Sequence, residues 1–116
     1  MESLLLDRAL IDEIKRIERA TGRNDVLSGF VHKLESSLAG FGAAFSDYIA
    51  RGDTTGAVRA AHTLKGTCHQ LGAQALGDLF AEIERSAKAG DYVDAKRKFD
   101  GAASLIAQSL DALKRA

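Results

Sequence analysis

Apolar residues return along the chain at steps of three and four, with charged residues between them. That is the period of helices buried on one side. Leu6, Leu10, Ile14 and Ile17 form the first stripe, which predicts a helix over about residues 3–20. Thr21-Gly22-Arg23-Asn24 stops it, with Gly22 suited to the left-handed position after a helix, and Asn24 or Asp25 can cap the next. The second helix is the longest, about residues 25–50, on Val31, Leu34, Leu38, Phe41, Phe45 and Tyr48. Gly40 and Gly42 lie within it, where each lowers helix stability by roughly 1 kcal/mol or permits a bend or a close backbone approach.

Gly52-Asp53-Thr54 ends that helix and caps a third, about residues 54–71, whose seam is Ala57, Ala61, Leu64, Cys68 and Leu71. Leu76, Leu79, Phe80, Ile83 and Ala87 predict a fourth over about residues 74–89. After Ala89-Gly90-Asp91, a single fifth helix is expected over about residues 93–114, on Phe99, Ala103, Ile106, Leu110 and Leu113. No segment alternates with period two over strand length, and no repeat, linker or low-complexity tract interrupts the pattern. Short loops make sequential helices antiparallel. The expectation is therefore all-α: one domain over residues 1–116, an antiparallel up-down four-helix bundle with an additional N-terminal helix capping one end.

Composition agrees and removes several functions. The 116 residues contain no proline, are 46% hydrophobic and can build one compact core. Sixteen Lys and Arg balance sixteen Asp and Glu, which argues against a general nucleic-acid binder, since phosphate contacts need a basic excess. No apolar run approaches the ~20 residues of a membrane span, so no membrane contact is expected. Leu4-Leu5-Leu6, followed by Asp7 and Arg8, is too short for a secretory signal. One cysteine, Cys68, cannot make an internal disulfide, which fits a reducing compartment and a cytoplasmic location.

The third helix carries the specific chemistry. Beside its small apolar seam, Arg59, His62, Lys65, Gly66 and His69 recur at steps of three and four and share one stripe. A mid-helix glycine off the seam has no core-packing reason. Clearance for a partner approaching His62 would supply one, with close helix packing as the rival. Neutral imidazole is a competent nucleophile near pH 7 because its ordinary pKa is about 6.5. Lys65 places a positive charge one turn from His62. Arg59, three residues before, can add to it or meet an acidic partner.

His62-Thr63-Leu64-Lys65-Gly66, preceded by Ala60-Ala61 and followed by Leu71-Gly72, resembles the histidine-containing phosphotransfer (HPt) domain of bacterial, fungal and plant phosphorelays. The likeness continues through Leu79 and Ile83-Glu84, and the helical layout covers nearly the whole chain. It implies that His62 accepts a phosphoryl group from a receiver-domain aspartate and passes it on to a response regulator. Lys65 would stay near the phosphoryl oxygens, Gly66 would give clearance and Gly72 would end the helix. Glu84 matches a position where the family often places a polar group facing the acceptor's neighbourhood. The family's domain has no nucleotide site and no cofactor of its own, since Mg²⁺ and the acidic residues belong to the receiver. It is a carrier without kinase activity, expected as a monomer with an open reactive face. The parent could be a hybrid sensor histidine kinase with this domain at its C-terminal end.

Two positions depart from the usual pattern. His69 stands where a small residue is common and adds bulk and a titratable group to the docking face. Thr67-Cys68 replaces two small residues, with Cys68 reading as core packing. His62 and His69 are seven residues apart, about 10.5 Å along a helix, too far to share a metal ion. His32 has no partner at useful spacing, and Lys96-Arg97-Lys98 reads as a solvated face. The other classes are a docking module that binds a receiver or regulatory enzyme without transfer, and a structural bundle. The first would be signalled by loss of His62 or Lys65, the second by a spare apolar stripe, and neither sign is present.

Overall fold

The computed structural model describes residues 5–116; Ser3 and Leu4, assigned above to the first helix, lie outside them. Among the described residues six helices follow one another and there is no strand: α1 Arg8–Thr21, α2 Val26–Ala50, α3 Thr54–Leu71, α4 Gln74–Lys88, α5 Tyr92–Asp100 and α6 Ala103–Arg115. Most boundaries follow from local chemistry. The Asp7, Asp53 and Asp91 carboxylates accept the first orphan N–H groups of α1, α3 and α5. Gly22 and Gly72, at φ 72° and 91°, close α1 and α3 in the left-handed conformation. Asp25 makes no side-chain cap for α2. Glu18 of α1 accepts from Leu27 N–H at 3.0 Å instead, so one helix caps the next.

The core is built on the predicted seams of α2, α3 and α4. Val31, Leu34, Leu38, Phe41 and Phe45 face Ala57, Ala61, Leu64, Cys68 and Leu71, with Leu76, Phe80 and Ile83 closing the cluster. Phe41 is its hub. Its ring centroid lies 5.1 Å from those of Phe45 and Phe80 and 4.9 Å from that of Phe99. Gly42 provides the close approach foreseen for it, because an added Cβ would come within 3.0 Å of the Phe99 ring. Gly40 has open space at the same test, so it serves no internal packing. Burial pushes the Cys68 thiol pKa up to about 12, as befits a packing residue rather than a reactive one.

Two expectations need correction. The single fifth helix is two helices, α5 and α6, divided at Gly101-Ala102. Gly101 is the poorest helix former of the segment except for proline, which is absent. There Ala102 N–H reaches the Phe99 carbonyl in a tighter turn. The break turns the inward face. Ala102 is buried and Ala103 exposed, and α6 buries Ser109, Ala112 and Leu113, with Ile106 and Leu110 only half-buried.

Leu5 is helical but Leu6 and Asp7 are not, so the predicted first helix is interrupted and α1 starts at Arg8, with Asp7 as its cap. The residue it buries is Ile11, while Leu10 and Ile17 are exposed. The reason is its seat. Asp7 N–H donates to the Gly72 carbonyl at 2.7 Å, and Ile11 packs on Gly72, so α1 leads from the α3–α4 turn to the start of α2. A helix held by these few contacts needs only a narrow buried line.

Candidate functional site

Regular helix geometry puts Arg59, His62, Lys65 and Gly66 on one side of α3, flanking its buried seam. The His62 side chain is 64% exposed, and its Nδ1 lies 3.0 Å from Glu84 Oε2 on α4. Glu84 is the opposite kind of group, a carboxylate only 5% exposed. It has three partners. Lys65 Nζ lies 2.7 Å from Oε1, and Lys88 Nζ lies 3.2 Å from the Oε2 that also meets His62.

Burial alone would raise the Glu84 pKa. The hydrogen bonds from Lys65, Lys88 and His62 overcome it and bring the pKa down to about 2. An ionised carboxylate can only accept, so His62 Nδ1 carries the proton and donates. In the neutral ring Nε2 then holds the lone pair, and no described residue bonds to it. Such a ring is an exposed, oriented nucleophile.

Gly66 has nothing within 4 Å of where a Cβ would stand, so helix packing does not account for it. Arg59 is exposed and makes no ion pair among the described residues. His69 takes a different place from the one expected. Its ring lies over Gly77 of α4, where any Cβ would collide with it, and its Nε2 is 3.0 Å from Asp78 Oδ1. It is half-buried between α3 and α4 rather than projecting from the face. His32 is exposed. Lys98 is not part of a solvated run, because it bonds Ser86 of α4 and pairs with Asp94. Among the described residues no three His, Cys, Asp or Glu side chains gather closely enough to hold a metal ion.

Against known families, the description that matches is the Hpt domain, over residues 4–116. The chain belongs to the Hpt domain family. This Hpt domain is also 32% identical over 111 residues to the sensor histidine kinase AruS of Pseudomonas aeruginosa, covering 96% of the chain and 11% of the kinase. The chain thus spans about a tenth of the length of that curated relative. No solved structure matches. The family and the relative place the Hpt domain in two-component phosphotransfer signalling. No helix among its described residues is long and apolar enough to cross a membrane.

One member of the cluster escaped sequence reasoning. Lys88 stands four residues after Glu84, a spacing that pairs charges on any helix. The spacing was visible, but nothing in the sequence marked Glu84 as buried beneath His62.

Proposed function

We propose that the chain is a phosphoryl carrier that accepts a phosphoryl group on His62 from a receiver-domain aspartate and passes it to a second receiver. The observation that carries this reading is the bond from exposed His62 to buried, ionised Glu84. The Nε2 lone pair attacks phosphorus of the partner's aspartyl phosphate. The N–P bond forms as the P–O bond to the carboxylate breaks, and the aspartate leaves with the electron pair. Nδ1 keeps its proton, so the phosphorylated ring is cationic and faces the Glu84 carboxylate, which stabilises it. Return transfer to an aspartate reverses these steps with the same proton in place.

Gly66 gives the receiver room, and Arg59 meets its acidic surface. His69 stands at the margin of this docking face. The helices α2 to α6 are read as an antiparallel up-down four-helix arrangement, with α5 and α6 as the fourth member and α1 across one end. In this reading the domain is a single cytoplasmic unit that acts as a monomer, without kinase activity or a cofactor of its own. The divalent cation belongs to the receiver.

The test is labelling by acetyl phosphate or a phosphorylated receiver, scored for the acid lability and alkali stability of a phosphoramidate. Label on wild type and His69→Gln, but not on His62→Gln, is the expected result. No label on wild type from a competent receiver would leave the same surface as a docking site without transfer, and direct binding would then measure it.

A further inference from the structure

Resting on the carrier reading, we propose a division of labour between the two lysines that the resemblance does not contain. Lys88, together with Arg59, holds the phosphoryl group on His62, while Lys65 stays on Glu84 as a positioning residue. A cleft of about 460 Å³ opens beside His62, lined by Val58, Arg59, Glu84 and Lys88 among others, and Lys65 does not line it. Its cations are thus Arg59, three residues before His62, and Lys88, across the α3–α4 interface.

The two lysines differ in what their release would cost. Lys65 is 29% exposed and makes the shorter bond, 2.7 Å, to a buried carboxylate. Withdrawing it would leave Glu84 Oε1 without its only donor among the described residues, and an uncompensated buried charge is expensive. Lys88 is 63% exposed, sits at 3.2 Å, and shares Oε2 with His62. When Lys88 turns toward a dianion on Nε2, the carboxylate keeps Lys65 on one oxygen and His62 on the other. Arg59 has no competing ion pair among the described residues and needs no release at all.

The experiment phosphorylates the whole domain with acetyl phosphate and follows the ³¹P resonance of phospho-His62 through its pH titration. The midpoint reports positive charge at the phosphoryl oxygens. Lys88→Met and Arg59→Met are expected to raise it by roughly half a unit to one unit each. Lys88→Arg should restore the wild-type midpoint. Lys65→Met should move it less than half as far, and should instead change the imidazole ¹⁵N shifts of the unphosphorylated protein, as the Nδ1–H tautomer loses its fixed acceptor. A larger midpoint shift from Lys65→Met than from Lys88→Met would overturn the proposal, as would unchanged midpoints in Lys88→Met and Arg59→Met. His62→Gln separates the two levels. Label that persists on it, or fails to appear on wild type, overturns the carrier reading. Label confined to wild-type His62 with the wrong order of shifts overturns only the assignment of the lysines.

Discussion

His62 Nδ1 and Glu84 Oε2 meet at 3.0 Å across the α3–α4 interface, so an exposed ring on one helix is oriented by a buried carboxylate on the next. The relationship has consequences for stability as well as for chemistry. Glu84 is the centre of a cluster in which one buried carboxylate holds three donors from two helices.

Acid should expose that role. The Glu84 pKa is lowered from 4.5 to about 2 on folding. A depressed carboxylate contributes stability that is present above its unfolded pKa and lost as pH falls through the folded one. The contribution should therefore fade between about pH 4.5 and pH 2. Because His62 and Lys88 are well exposed, solvent screening reduces it to about 1–2 kcal/mol. Urea denaturation of wild type and Glu84→Gln at pH 7 and pH 3 should show a gap that narrows in acid. A gap that stays constant would assign the loss to packing instead.

Gly66→Ala separates stability from partner access. With nothing near the added Cβ, the substitution should stabilise the helix by about 0.5–1 kcal/mol. Transfer from a phosphorylated receiver should fall by more than labelling with acetyl phosphate, which needs no docking. Thermal unfolding and the ratio of the two labelling rates check both halves.

Gly77 and His69 should be energetically coupled. The His69 ring occupies the place where a Cβ on Gly77 would stand. Gly77→Ala therefore forces the ring off Asp78, offsetting the gain in helix propensity. In a His69→Ala background the obstruction is gone, and Gly77→Ala should be more favourable by about 1 kcal/mol. Equal effects in both backgrounds, measured by urea unfolding, would remove the coupling.

Gly72 admits no such rescue. It holds φ 91° and packs against Ile11 and the Asp7 carbonyl, where a Cβ would stand 3.0–3.1 Å from its neighbours. Gly72→Ala should destabilise the domain by about 1–3 kcal/mol and loosen α1, seen as faster hydrogen exchange at Asp7 and Ile11.

The gain in seeing the structure differs from helix to helix. The seams of α2 and α3 were read correctly because each is a run of apolar residues at unambiguous spacing. In α1, Leu10 and Ile11 are adjacent and both apolar, so periodicity could not choose between them. The seat against Gly72 chose Ile11. In the last segment, Phe99 through Leu113 kept helical spacing across Gly101, and the spacing concealed the break at Gly101-Ala102.

By itself the sequence determined the helical class, the capped boundaries of α3 and the grouping of Arg59, His62, Lys65 and Gly66 on one face. Those properties follow from the fixed rotation per residue of a helix and need no neighbour. Only the tertiary structure decided that Glu84 lies buried beneath His62, that Lys88 shares it, and that His69 folds over Gly77. Each depends on the axial offset and rotation of α4 against α3, which come from the packing of both seams together. Local spacing placed His62 on an exposed face, and helix packing supplied the buried charge that orients its ring.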